Sequence, residues 1–373
     1  MTQAQTNGAA VVVEGLVKRF GTFTAVDGIS FSVRRGEIFG FLGPNGAGKS
    51  TTMRMLCGIL VPTAGRGRVI GYDIMTQSER IKEHIGYMSQ KFSLYEDLTV
   101  EENIEFYGDV YGVPARRLQE RKRWILEMAD LTERAHSLTG QLAMGWKQRL
   151  ALGCALVHEP QVLFLDEPTA GVDPVSRRNF WDLIYTVAQQ GVTVFVTTHY
   201  MDEAEHCDRL GMIYAGKLIA LGSPQQLKQR DVAGRLLEIH VASSPRPAPS
   251  GIEGATATAA GGLAAEPVMA ALESLAHEPA AKEVAVFGAA LHVVVADEAA
   301  EQAVREALSQ SGVAVHRMET IVPSLEDAFV ALIEEADRTL KDPDATLRSG
   351  KPPSPPSTSR VPQGPGGATR REL

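Results

Sequence analysis

Eight residues constrain this chain more than any others: Gly43-Pro44-Asn45-Gly46-Ala47-Gly48-Lys49-Ser50 reads G-x-x-x-x-G-K-S. The motif directly follows an apolar run, Ile38 to Leu42, and a helix is expected from about Lys49. A strand, a glycine-rich turn and a helix start together aim backbone N–H groups and the positive end of the helix at a phosphate. Glycine is required because a side chain in the turn would occupy the phosphate position. Lys49 is placed to reach the β- and γ-phosphates of a nucleotide, Ser50 to ligate Mg²⁺ through its hydroxyl, and Thr51 to assist near the α-phosphate.

A second apolar run, Val162 to Leu165, ends in Asp166-Glu167 and continues into Pro168-Thr169. In doubly wound sheets, ligands gather at the carboxyl ends of strands. Asp166 is therefore expected to hold Mg²⁺, directly or through water, and Glu167 to take a proton from the attacking water. A third run, Val192 to Thr198, ends at His199, which at that place can hydrogen-bond a γ-phosphate or serve structure alone. Gln90 follows Ile85 to Ser89; its amide can touch Mg²⁺ or the water, or lie on the surface.

The 373 residues carry a net charge of -8, so there is no chain-wide basic field for nucleic acid and no nucleic-acid partner is expected. Three cysteines, Cys57, Cys154 and Cys207, lack CxxC spacing and read as reduced thiols; His206 beside Cys207 has no regularly spaced companions for a metal. No apolar stretch approaches the roughly 18 residues a membrane span needs. Residues 1–10 lack the basic start and apolar run of a signal peptide and read as a flexible N-terminus.

Residues 11–230 read as an α/β unit, with a mostly parallel sheet covered on both faces and a helix over Phe180 to Gln190 closed by Gly191. Residues 235–336 follow as a small α+β unit. Strands are expected at Leu237–Val241, Glu283–Phe287, Leu291–Ala296 and Val313–Met318. Helices are expected at Pro267–Ala276, around Ala300–Leu308 and after the cap Ser324. That order, β-α-β-β-α-β-α, suggests a ferredoxin-like domain with the Ser/Pro/Ala/Gly-rich stretch 243–265 as a flexible insertion. Residues 337–373 are Pro-rich and read as a disordered tail.

Taken together, in this order and at this spacing, the motifs resemble those of the ATP-binding cassette (ABC) family, over residues 11–222. The resemblance implies a P-loop NTPase fold with a helical subdomain, and ATP and Mg²⁺ as ligands. It implies that Phe20, in Lys18-Arg19-Phe20-Gly21, stacks on adenine, and that Gly43 to Ser50 is the Walker A motif. Gln90 becomes the Q-loop residue, ligating the metal with Ser50 and Asp166. Glu167 becomes the catalytic glutamate, His199 the switch histidine, and Gly171-Val172-Asp173-Pro174 the D-loop, with Asp173 at the nucleotide.

One motif departs from the family pattern. Where the family reads L-S-G-G-Q, this chain has Leu142-Ala143-Met144-Gly145-Trp146, followed by Lys147-Gln148-Arg149-Leu150. Ala143, Met144 and Gly145 are still expected at the γ-phosphate bound by a second subunit, through a helix N-terminus. The lost serine hydroxyl removes a bond of about 1.5–3 kcal/mol to a charged group. Pro323 to Phe329 resembles the C-terminal end of ABC-2 type exporter ATPases of the drug-resistance group.

The resemblance implies an ATPase subunit that drives a separate membrane permease, at the inner face of the membrane, as a dimer with itself or a paralogue. Residues Lys91 to Asn103, with Phe92, Leu94, Tyr95 and Leu98, are expected either to dock the permease or to pack internally. Two other readings stay open: an ABC ATPase with no membrane partner, and a nucleotide-binding regulatory module with weak turnover.

Overall fold

The computed structural model describes residues 8–90, 94–230, 234–241, 265–276, 278–287 and 290–341. In chain order it begins β1 (Ala9–Phe20), β2 (Phe23–Arg34), β3 (Ile38–Leu42), α1 (Lys49–Leu56), β4 (Ala64–Val69), β5 (Tyr72–Asp73), α2 (Ser78–Lys82) and β6 (Ile85–Met88). Helices α3 (Val100–Val110), α4 (Ala115–Met128) and α5 (Met144–Leu156) come next. Then follow β7 (Val162–Asp166), α6 (Pro174–Gln189), β8 (Thr193–Thr198), α7 (Met201–Ala204), β9 (Arg209–Tyr214), β10 (Lys217–Gly222) and α8 (Pro224–Arg230). The C-terminal part adds β11 (Arg235–Val241), α9 (Ala265–Leu275), β12 (Ala281–Phe287), β13 (Ala290–Val295), α10 (Glu298–Gln310), β14 (Val315–Ile321) and α11 (Leu325–Lys341).

The central sheet has the order β10-β9-β3-β8-β7-β6. The five strands β9, β3, β8, β7 and β6 run parallel, and only β10, at one edge, is antiparallel. All five residues of β3 and of β7 are buried, so alternate side chains fill two different cores. Phe39, Phe41, Val162, Phe164 and Phe195 point to one side. Ile38, Leu42, Leu163, Leu165, Val194 and Val196 point to the other, where α5, α6 and α11 cover them.

The first side is covered in a way that the sequence reading did not specify. It is covered by α1 and by a second, antiparallel sheet of order β2-β1-β4-β5. β1 begins at Ala9, so it takes in the last two residues of the segment read as a flexible N-terminus. The strand forms because Val11, Val13 and Leu16 bury against Phe31 and Val33 across the hairpin. That contact lies far from each residue in sequence, where a local pattern does not report it.

Helices α3, α4 and α5 enclose a separate core of Val100, Ile104, Leu118, Ile125 and Leu150. A capping box starts α3: Thr99 Oγ1 accepts from Glu102 N, and Thr99 N donates to the Glu102 carboxylate. Asn103 is wholly buried here and ties the chain after Gln90 to this subdomain, since its amide donates to Tyr95 O and Thr139 Oγ1 while Tyr95 N donates back.

The C-terminal strands form one antiparallel sheet of order β12-β13-β11-β14, with α9 and α10 on its apolar face. α11 does not join that core. Leu325, Phe329 and Leu332 pack with Leu210, Met212 and Leu227 of the central unit. The helix also runs to Lys341, five residues into the stretch read as a disordered tail. The rest of that tail, residues 1–7, and the insertion 243–265 apart from Ala265 lie outside the described residues.

Candidate functional site

The turn from β3 into α1 leaves no room for a side chain at Gly43 or Gly48. A Cβ on Gly43 would lie 2.2 Å from Ile213 O, and one on Gly48 would lie 2.4 Å from Ala25 O. Gly48 also has φ +108°, which disfavours any side chain. The loop is tied to the rest of the chain by Gly216 N donating to Ala47 O at 3.1 Å. Lys49 is buried beneath it, and its ammonium donates to Gly43 O at 2.8 Å and Pro44 O at 3.1 Å. Pro44, Asn45 and Gly46 complete the loop, and Ser50 and Thr51 open α1.

The strand-end carboxylates meet this turn. Ser50 Oγ donates to Asp166 Oδ1 at 2.9 Å, and Thr197 Oγ1 donates to the same oxygen at 2.7 Å. Glu167 is the centre of the cluster. Lys49 Nζ lies 3.1 Å from its Oε1, Gln90 Nε2 donates to its Oε2 at 3.1 Å, and His199 Nδ1 lies 3.3 Å from that oxygen. Its backbone is strained, with φ +48°, and is pinned there by N–H bonds to Thr197 O and Oγ1. Lys49, Ser50, Gln90, Asp166, Glu167 and His199 thus come together from four separate segments.

The cluster fits a nucleotide with its metal. The loop is held tightly against Ile213 and Ala25, it carries one buried lysine, and a hydroxyl and a carboxylate already adjoin at its rim. Elsewhere, among the described residues, no group of three His, Cys, Asp or Glu is placed to hold a metal. His206 instead stacks on Trp181 and bonds Tyr185. All three cysteines are buried free thiols, and burial raises each one's pKa.

Among the described residues no hydrogen bond or ion pair joins the side chains of the other expected residues to this cluster. Phe20 ends β1 with its ring 50% exposed and Lys18 Nζ 5.1 Å above it. Ala143 is the N-cap of α5 and offers no side-chain cap. Met144 is exposed and borders the cleft that also holds Gln90, Glu167 and Pro168. Gly145 serves packing, since a Cβ there would come 2.9 Å from Ser176 Oγ. Asp173, expected at the nucleotide, caps a helix. Its Oδ1 accepts from Val175 N and Ser176 N as the N-cap of α6, and hydrogen bonds from the Ser176 hydroxyl and backbone, with that from Val175 N, lower its pKa.

Several site residues escaped the sequence reading. Thr197 orients Asp166 and Glu167 together. Gln148 of α5 donates to Pro168 O at 2.5 Å. Glu203, 1% exposed, accepts from Thr169 and Thr198, and burial raises its carboxyl to about 7. Their only signal was proximity to a motif, and a hydroxyl or amide beside a motif has too many ordinary uses to be assigned.

A glycine-walled cradle at the carboxyl end of β3, with strand-end acids beside it, defines the class: a P-loop nucleotide-binding protein. Comparison then narrows it. Residues 26–170 match the ABC transporter family profile, and residues 264–333 match that of the ATP-binding protein DrrA1-3-like C-terminal domain. The chain is 35% identical to the linearmycin resistance ATP-binding protein LnrL of Bacillus subtilis over 333 residues, 88% of this chain and 99% of that one. It is 54% identical to the probable multidrug ABC transporter ATP-binding protein YbhF of Escherichia coli over 60% of this chain but only 39% of YbhF. A solved structure, cbiO1 of Clostridium perfringens, part of the ABC transporter complex cbiONQ, superposes with TM-score 0.56 at 28% identity, over 60% of this chain and 92% of its own. The chain belongs to the ABC transporter ATP-binding protein family.

Proposed function

We propose that this chain is the ATP-hydrolysing subunit of an ABC-2 type exporter, acting on a separate permease. The carrying observation is the convergence of Lys49, Gln90 and His199 on the Glu167 carboxylate, one strand-end residue from the Ser50–Asp166 contact. Lys49 and the loop amides bind the phosphates, and Phe20 offers an exposed ring to adenine. Ser50, Asp166 and Gln90 would hold Mg²⁺, which when bound neutralises charge on the phosphate oxygens. Glu167 takes the proton of the attacking water, and His199 and Gln90 orient its carboxylate. With the line of attack set by position, this is catalysis by placement and charge.

Two copies close face to face, each exposing Ala143 and Met144 at the start of α5 to the nucleotide of the other. An interface built from one patch used twice suits this arrangement. Export is supported by the DrrA-like match and by the resistance relative LnrL, whose match spans nearly its whole length. Among the described residues no helix is long and apolar enough to cross a membrane. In this reading the permease supplies the transmembrane path and the subunit sits peripherally on the inner face.

For docking, Tyr95 supports an external role: it is 46% exposed and packs edge-on to Phe106 at 4.6 Å. Leu94 packs against the α3–α5 core instead, and Lys91 and Phe92 lie outside the described residues. We also read the C-terminal unit, residues 235–336, as ferredoxin-like, which its β12-β13-β11-β14 antiparallel order supports.

Phosphate release by the purified chain and by Glu167→Gln tests the reading. The variant is expected to retain ATP while turnover falls by about 100-fold or more. Equal turnover in the two proteins overturns the motor. A wild type that binds ATP with turnover no greater than the variant's would favour the regulatory reading, for which the uncapped start of α5 is the one supporting feature.

A further inference from the structure

Behind Glu167 and His199 lies a second charged node that the reaction as described does not use. Glu203 sits in α7, four residues after His199, and its side chain is closed off from solvent. Three segments converge on its carboxylate. Thr169, two residues past Glu167, donates to Oε1. Thr198, the residue before His199, donates to Oε2 at 2.6 Å. Arg177, in the first turn of α6, brings its Nε to 3.4 Å from Oε1 and its Nη1 to 3.0 Å from Asp202 Oδ2.

The same guanidinium lies over the Tyr200 ring at 4.2 Å, and Tyr200 N donates to Thr198 Oγ1 at 2.9 Å. Thr169 and Thr198 are both buried, so neither hydroxyl has water as an alternative partner. On the opposite side, the turn holding Thr169 is gripped by Gln148 at Pro168 O.

A buried carboxylate of this kind is costly unless every partner is in place. It earns that cost where it fixes geometry among parts that are otherwise separate. The parts here are the turn from Glu167 to Asp173, the strand end carrying His199, and the start of α6. We propose that Glu203 is a positioning residue that locks these three segments into one rigid body, so that Glu167 and His199 face the same γ-phosphate and movement of the Gly171–Asp173 loop is transmitted to both. Glu203 touches neither substrate nor metal ligand, and it acts through Thr169 and Thr198. The inference rests on the assignment of Glu167 and His199 above.

The test uses full-length wild type, Glu203→Gln, Thr169→Val and Glu167→Gln, each measured for turnover, for KM and for the Kd of a non-hydrolysable ATP analogue with Mg²⁺. Positioning predicts that Glu203→Gln lowers kcat by about tenfold or more while KM and Kd stay within about threefold. Thr169→Val, nearly isosteric, is expected to lower kcat in the same way by a smaller factor. This second variant decides the matter if Glu203→Gln does not fold. A kcat within about twofold of wild type in the folded variants overturns the proposal, and so does a parallel loss of kcat and Kd, which a purely structural role produces. Glu167→Gln separates the two readings: if it too leaves turnover unchanged, the site assignment has failed rather than the positioning role.

Discussion

At the scale of single residues, the site is a set of short polar contacts held in place by buried hydroxyls. Thr197 is the clearest case, because one hydroxyl donates to Asp166 Oδ1 while accepting from Glu167 N. Thr197→Val keeps the shape and deletes both bonds. The buried Asp166 oxygen then keeps Ser50 alone, and the expected cost is about 1–3 kcal/mol in chemical denaturation. The Mg²⁺ concentration for half-maximal turnover is expected to rise by about tenfold, because the carboxylate is no longer aimed; a magnesium titration of the ATPase checks it. The acids and the lysine were legible in the sequence because each closes a recognisable pattern. Thr197 was not, because a threonine at the end of an apolar strand is ordinary sequence.

At the scale of elements, two helix ends matter. α5 begins at Ala143 with no side-chain cap, although its N-terminus faces outward beside exposed Met144. Ala143→Ser restores a cap, and the expected gain is about 0.5–1 kcal/mol in unfolding free energy. Turnover is expected to rise several-fold if the hydroxyl also reaches the partner's phosphate, and steady-state phosphate release against wild type measures it.

At the other end of α5, His158 stacks on Tyr111 at 3.6 Å and contacts Ile85 O at 2.9 Å. Burial lowers its imidazole pKa to about 4. Between pH 6.5 and 4 the unfolded chain therefore binds a proton that the folded chain refuses. Stability from this group is whole above pH 6.5 and is lost as pH falls toward 4, by about 3 kcal/mol at most. Denaturation at a series of pH values should show a shallower acid slope in His158→Phe than in wild type. The helices and parallel strands themselves were largely readable from periodicity, but α6 starts six residues before the expected Phe180, at Pro174, because its exposed first turn carries no apolar stripe.

At the scale of the whole molecule, the C-terminal segment is divided between two cores. Its sheet and helices α9 and α10 enclose their own apolar centre, whereas α11 crosses back to cover the central sheet. A strong contact marks the join: His292 Nδ1 lies 2.6 Å from Asp327 Oδ1, and Asp327 also accepts from Ser324 N and Oγ. The nucleotide-binding unit is thus finished by residues more than 100 positions downstream of its last motif. Phe329→Ala removes a nearly buried ring from that contact. The expected loss is about 3 kcal/mol, measured as unfolding of the central unit by denaturant, even though the substitution lies outside the part that binds nucleotide.

The sequence by itself determined the chemistry: the phosphate loop, its lysine and serine, and the acids at a strand end follow from local order, since each motif is contiguous and its geometry is dictated by the few residues around it. Only the tertiary structure decided what lies between the motifs. The antiparallel sheet behind β3, the return of α11, and the Thr197 and Glu203 contacts all join residues distant in the chain. Burial of an apolar face, or of a carboxylate, is satisfied by whichever partner the fold brings near, and a local pattern cannot name that partner.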